Sequence, residues 1–297
     1  MKPIADQPKP PSGTEVSCDV AAFACLRLTA AELQSLRQHL VLPSGERIPP
    51  SFLKHAEDQT IAALAAVGRA ISANFPPGAS FTEWGVLGAP RFLGRMAMNV
   101  AIAKFNAEGA WGLSPHLIPH RLLHALSGTL SQAFKMQGPN FGVGGGPTGV
   151  AETMRAAAGL LAGDRLPGLW VVLTGCNPEP DTERCIGPDL SLTNALAIAL
   201  TPPRPRWHGL RVRTRAAQPP VEPASNEPVS LETFQDLLTG LDKSHMTGGI
   251  YVLANGIVLE SAESRGRHPL AIGNGANGNG RHDVSHVWIG AGAENRL

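Results

Sequence analysis

Three histidines, His116, His120 and His124, stand four residues apart. On one uninterrupted helix that spacing stacks side chains on a single face, as metal ligands are arranged. Pro119 lies between the first two, and no carboxylate recurs beside them. These features favour structural or pocket-lining histidines over a metal site, and no metal is expected. A second candidate is the run "QGPNFGVGGGPTGVAETMRAAAGLLAGD", Gln137 to Asp164, in which a glycine-rich turn leads into a small-residue helix. A helix N-terminus favours a nearby anion, so such a turn is where a reactive thiolate gains most. Yet Gly144-Gly145-Gly146-Pro147-Thr148-Gly149 holds no Cys, Ser, Asp or Lys. Thr148 brings a hydroxyl, with no adjacent His or Lys to activate it. Its expected use is a hydrogen bond at the start of the helix. A phosphate-loop assignment needs glycine at position 147 and a following Gly-Lys-Ser/Thr, and the sequence has neither. The turn therefore reads as tight packing between strand and helix.

The four cysteines, Cys18, Cys25, Cys176 and Cys185, form no C-x-x-C pair. Cys176 ends an apolar strand and is the alternative nucleophile, although a lone cysteine there is more often a small apolar packer. Cys176 and Cys185 bracket "NPEPDTER", and a disulfide between them is disfavoured in a reducing compartment. The strip "RPRWHGLRVRTR" alternates Arg211, Arg213 and Arg215, which on a strand share one face. Its expected role is a charged edge strand, with docking of an acidic partner as the functional alternative.

These residues need elements to hold them. A β-leaning run, "EVSCDVAAFACL", is followed by a helical pattern in "HAEDQTIAALAAVGRAI" that stops at Phe75-Pro76-Pro77-Gly78. A short strand is expected in "EWGVLG", and a helix in "RFLGRMAMNVAIAKFNAEG" closing on Gly109. Another helix follows Pro115 and Pro119, and a long one spans about residues 150–162. Apolar strands are expected in "LWVVLTG", "NALAIAL" and "GLRVRT". The alternation predicts an α/β layered fold with a sheet buried on both faces. After a composition break at 216–229 come a helix, "SLETFQDLLTGL" with Ser230 as its N-cap, and a hairpin turning at Asn255-Gly256. The segment Gly273 to Gly280 reads as a linker. The expected organisation is a disordered tail over 1–13, a main domain over 14–215, a linker over 216–229 and a small C-terminal extension over 230–297.

Composition limits the function classes. The chain has 297 residues, 43% hydrophobic and 16% charged, with 25 Lys+Arg against 24 Asp+Glu. A net charge of +1 supplies no basic field for nucleic acid or an acidic membrane. No apolar run approaches the roughly 18 residues of a membrane span. "MKPIADQPKPPSG" lacks a signal-peptide core, so a cytoplasmic location is expected.

The block "LSPHLIPHRLLHALSGTLSQAFKMQGPNFGV", the glycine-rich elbow, the Ala-rich helix ending in Gly163-Asp164 and "VVLTG" resemble the N-terminal half of the β-ketoacyl synthases. Those are thiolase-fold condensing enzymes of fatty acid and polyketide synthesis. The match runs over residues 110–176, with a looser correspondence over 55–110 and 192–215. It implies a thiolase-like α/β/α fold, essentially one N-terminal half with a short C-terminal extension. In the family the elbow carries a Cys thiolate and aligns backbone N–H groups as an oxyanion hole. Here the equivalent position falls on Gly146 or Pro147, and neither forms a thioester. The family's "HGTGT" block is absent, and His245, His268, His282 and His286 sit in no matching context.

The resemblance thus implies a synthase-like protein without the usual Cys-His-His set. The expected role is non-condensing, as a chain-length-factor-like partner or acyl-binding subunit. Its expected partner is a second copy or a ketosynthase-type subunit, with an acyl-carrier protein as a further candidate. His116, His120, His124 and Phe141 are the expected pocket or interface residues, and no cofactor is expected. The alternatives are an acyltransferase using Cys176 or Thr148, and a structural homodimer.

Overall fold

The computed structural model describes residues 15–115, 117–144, 146, 148–163, 165–179, 191–205, 207, 209–214, 229–244, 249–254 and 256–261. The N-terminal tail, most of the linker, Cys185, Arg215, Asn255, the Gly273–Gly280 segment and His245, His268, His282 and His286 lie outside the described residues.

The chain opens with β1 (Val16–Leu28) and turns at Thr29 into α1 (Ala30–His39). Thr29 accepts from the Glu32 amide at 3.3 Å, and the Glu32 carboxylate accepts from the Thr29 amide at 2.7 Å. This reciprocal capping box satisfies donors that a helix start leaves open. The short α2 (Pro50–Leu53) leads to α3 (Asp58–Asn74), which buries ten of its residues. Small side chains such as Ala62, Ala63, Ala66 and Ala70 let α3 lie close against the sheet. Then come β2 (Gly85–Pro90), α4 (Arg95–Glu108), a 3-10 turn (Ala110–Gly112), α5 (Leu117–Arg121), α6 (Leu123–Ala133) and β3 (Asn140–Gly142). The expected helix after Pro119 is thus two helices, separated by Leu122 in an extended conformation (φ −88°, ψ 160°).

The second part of the chain supplies α7 (Gly149–Leu161), β4 (Leu169–Asn177), β5 (Leu192–Thr201), β6 (Leu210–Thr214), α8 (Leu231–Ser244), β7 (Gly249–Ala254) and β8 (Ile257–Ser261). All eight strands of the described residues join one mixed sheet in the order β3-β2-β4-β5-β1-β6-β8-β7. β2 pairs in parallel with both β3 and β4, and the remaining pairs are antiparallel. Helices cover both faces. Residues of α1, α3 and α6 form one apolar cluster with Trp170 and Val172, while α7 and α8 form the other with Val171 and Leu173. The alternation of side chains along β4 explains this split between faces. The result is the three-layer α/β/α arrangement that the apolar strands imply.

The C-terminal elements belong to this same sheet. β8 pairs with β6, and the β7–β8 hairpin extends that edge. Ser230 caps α8 by accepting from the Thr233 amide at 3.1 Å. Gln235 of α8 donates to Ala195 O at 2.9 Å and to Leu26 O at 3.3 Å, tying the helix to β5 and β1.

The arginine strip has a different role from the one its alternation predicts. β6 lies between β1 and β8, so it is no edge strand. Arg211 pairs at 2.6 Å with Asp19, whose side chain is fully buried. The Arg204 amide donates to the second carboxylate oxygen of Asp19 at 2.7 Å. Arg213 is paired with Glu15 and Glu260. Satisfying a buried carboxylate is the stronger requirement, because an unpaired one costs several kcal/mol, of order 3–5.

Candidate functional site

The Gly-Pro-Asn block explains itself in packing. A Cβ on Gly138 would stand 2.6 Å from the Trp84 carbonyl carbon, so only glycine lets this segment pass β2. Pro139 O accepts from the Val86 amide at 2.8 Å, and Asn140 donates to Ser131 Oγ at 2.9 Å. Two residues on, a Cβ on Gly142 would meet the Leu123 carbonyl carbon at 2.5 Å. The block therefore clamps β3 between β2 and the start of α6, and delivers the chain to the mouth of α7.

That mouth lies beside the C-terminal ends of β2 and β4. Gly144 has φ +71°, a left-handed conformation that glycine tolerates. A shallow cleft there is lined by Ala89, Arg91, Gly146, Gly149, Leu173 and Thr174 among others. Its volume is about 20 Å³, whereas small-molecule pockets need about 300–1,000 Å³. Side chains added at Gly146 or Gly149 would meet nothing within 4 Å. Pro147 and Gly145 lie outside the described residues.

The group at the mouth of α7 is Glu152, in the first turn. Thr148 donates its hydroxyl to Glu152 Oε1 at 2.5 Å. The other carboxylate oxygen is 3.3 Å from where a Gly144 Cβ would stand. A carboxylate in the first turn meets the positive end of the helix dipole, the position where a thiolate would otherwise be stabilised. Thr148 thus orders the helix start through Glu152, and among the described residues no His, Lys or Cys is hydrogen-bonded to its hydroxyl.

Cys176 points elsewhere. Its sulfur lies 3.8 Å from Gln59 Nε2 of α3 and 3.9 Å from Thr193 Oγ1. It therefore sits on the α3 face of the sheet, with the sheet between it and α7. Burial pushes its thiol pKa up, Asp58 and Glu57 add to the rise, and hydrogen bonds from Thr193 and Gln59 only partly oppose it. A reactive cysteine needs the reverse. Burial raises the Cys25 thiol as well, and takes Cys18 to about 12. Cys18, Cys25 and Cys176 are all free thiols.

The histidines do not converge. His120 stacks near His55, with ring centroids 5.5 Å apart, whereas His124 Nδ1 lies 3.4 Å from Ser127 Oγ. The break at Leu122 separates them into two helices, so the four-residue spacing no longer defines one face. His116 is outside the described residues. Among the described residues no group of three or more metal-ligating side chains exists. Phe141 is 47% exposed on β3 at the end of the sheet. It is not part of the cleft.

Sequence reasoning missed Gln59 and Arg91, which organise the strand ends. Gln59 accepts from Thr174 Oγ1 at 2.8 Å and donates to Arg91 O at 2.8 Å, while Arg91 pairs with Glu179. Gln59 lies within the apolar pattern of α3, and nothing local marks it as different. The Arg91 amide donates to Thr174 O at 2.7 Å, locking the end of β2 to β4.

No protein-family model matches the chain, and no curated protein matches it. Solved structures do. A ketosynthase (ApeO) in complex with its chain length factor (ApeC) from Xenorhabdus doucetiae matches at TM-score 0.51 and 12% identity, covering 82% of this chain and 98% of the matched chain. The fold is that of the ketosynthases. The ishigamide ketosynthase/chain length factor matches at TM-score 0.43 and 13% identity, over 68% of each chain. A type II PKS acyl-carrier protein in complex with its ketosynthase bound to the hexaketide matches at TM-score 0.42 and 14% identity, over 64% of this chain. This chain spans 63% of the length of that one. The ApeO/ApeC match shows that the thiolase-like layered architecture is shared. Among the described residues no helix is long and apolar enough to cross a membrane.

Proposed function

We propose that this chain is a non-condensing, ketosynthase-like subunit of fatty acid or polyketide-type metabolism in the cytoplasm. In this role it acts beside a condensing ketosynthase-type subunit, as chain length factors do, and helps bound the space for the growing acyl chain. The occupied mouth of α7 is the observation that supports this most. Glu152 takes the helix N-terminus, Gly146 and Pro147 offer no nucleophilic atom, and Cys176 faces the opposite side of the sheet with a raised pKa. Arg211 and Arg213 are already paired, so an acyl-carrier protein docks on another surface.

The test is intact-mass analysis after incubation with an acyl-thioester donor. No covalent adduct and no condensation product is expected from the chain alone. A mass increase of one acyl group that disappears in Cys176→Ala or Thr148→Ala overturns the proposal in favour of an acyltransferase. Co-purification with a ketosynthase-type subunit, and a changed product-length distribution in its presence, is the expected positive result.

A further inference from the structure

The excursion that carries α4 and α5 begins and ends at one point. Gly94 stands just before α4 and Arg121 is the last residue of α5. A Cβ on Gly94 would lie 2.6 Å from the Arg121 carbonyl oxygen, so the two ends touch and form a neck. α4 itself buries no residue, and polar contacts hold the neck to the start of α3. One oxygen of Glu57 accepts from the Gly94 amide at 3.1 Å, and the other pairs with Arg121 at 2.9 Å. A single carboxylate thus bridges both ends of the excursion.

Beside it, His55 and His120 bring their rings to 5.5 Å between centroids. His55 precedes Glu57 by two residues and His120 adjoins Arg121, so this pair crosses the same neck. The surrounding charge is mostly positive. Arg37 of α1 donates to Leu53 O at 2.6 Å and Ala56 O at 3.0 Å, on either side of His55. Lys54 is the sequence neighbour of His55, and Arg95 at the start of α4 lies over the Phe92 ring. The carboxylates here, Glu57 and Asp58, are each already paired with an arginine, Arg121 and Arg37. Further along α4, Lys104 and Glu108 pair with each other at 3.9 Å, and His124 of α6 turns toward Ser127.

We infer that this neck is a pH-sensitive latch, which double protonation of His55 and His120 loosens while α3 and the sheet stay folded. Two neutral rings, or one imidazolium against a neutral ring, can remain apposed. A second proton sets two like charges side by side among arginines, which disfavours it while the neck is closed. Opening separates the rings and lets both take protons in the ordinary imidazole range, near pH 6.5. The open form then binds more protons, so the closed neck loses stability as pH falls through that range. The inference is independent of the ketosynthase-like role, since it rests on the neck alone.

Hydrogen exchange of the full chain at about pH 7.5 and 5.5, corrected for the intrinsic pH dependence of exchange, is the test. Protection of residues 95–108 is expected to fall about fivefold at the lower pH, while residues 61–71 of α3 keep theirs. Equal protection of 95–108 at both pH values overturns the inference. So does a parallel loss in α3, which would be acid unfolding of the whole layer. His55→Phe with His120→Phe keeps two apposed rings and is expected to abolish the pH difference; a double variant that still loosens overturns the inference. An NMR titration of the wild-type imidazoles supplies a readout free of any variant. His55 and His120 are expected to take up their protons in two separate steps, and one common step for both overturns the inference equally.

Discussion

α3 and α4 are both rich in apolar residues, and they meet opposite fates. α3 buries ten residues between α1, α6 and the sheet, whereas α4 buries none. The difference lies in what faces each helix. α3 follows a loop that sets it across β1, β4 and β5, while α4 leaves the end of β2 through Phe92 and Gly94, both with positive φ, and turns away from the sheet. Its tether is polar. Glu57, at the start of α3, accepts from the Gly94 amide at 3.1 Å and pairs with Arg121 at 2.9 Å. Apolar composition therefore specifies that a surface wants covering, and the path of the chain decides whether the described residues supply the cover.

The sharpest way to break this comparison is a matched pair of truncations. Leu64→Ala in α3 removes a fully buried side chain and should cost about 2–5 kcal/mol in urea unfolding. Phe105→Ala in α4 should cost less than about 0.5 kcal/mol. Equal losses would mean that α4 is buried within the monomer.

Burial should also govern the response to alkaline pH. The Cys18 thiol is raised to about 12 from 9.0, first by burial and then by Asp19. The folded state thus holds that proton more tightly than the unfolded chain does. Its contribution is complete below about pH 9 and drains away as pH rises toward 12. Unfolding compared at pH 8 and pH 10.5 should show a loss of a few kcal/mol that Cys18→Ala reduces. An identical pH dependence in the variant would remove this thiol from the account.

A smaller effect is expected at the α4 tether. Glu57→Gln weakens the link to Arg121 and should reduce stability by about 1 kcal/mol. Hydrogen exchange over 94–108 should rise severalfold while the interior of α3 keeps its protection. Uniform loosening of both helices would show that Glu57 supports the whole layer.

The least disruptive change tests the mouth of α7. Gly146→Cys places a thiol where nothing lies within 4 Å, and should leave stability within about 0.5 kcal/mol. With Glu152→Gln added, iodoacetamide should alkylate that thiol faster than Cys176 at pH 7.5. Faster reaction at Cys176 would contradict the raised pKa that its burial imposes.

Much of the scaffold is written locally. Near-continuous apolar runs mark β4 and β5, Ser230 marks a helix start, and the Gly-Pro-Asn block marks the approach to the elbow. Their signals depend on neighbours a few residues away, where periodicity and capping act. α1, α2 and β3 carry runs too short or too polar for such a pattern. The break at Leu122 was equally hidden, because no Gly or Pro stands there to end the helix.

At the site, the sequence by itself determined that positions 144–149 hold no thiol, since side-chain identity needs no fold. Only the tertiary structure decided that Glu152 occupies the helix mouth, that Cys176 faces α3, that Arg211 serves Asp19 across 192 positions, and that His120 meets His55 instead of His124. Electrostatic and hydrogen-bond partners are chosen by distance in space, and burial makes each choice binding by removing the water that would otherwise substitute.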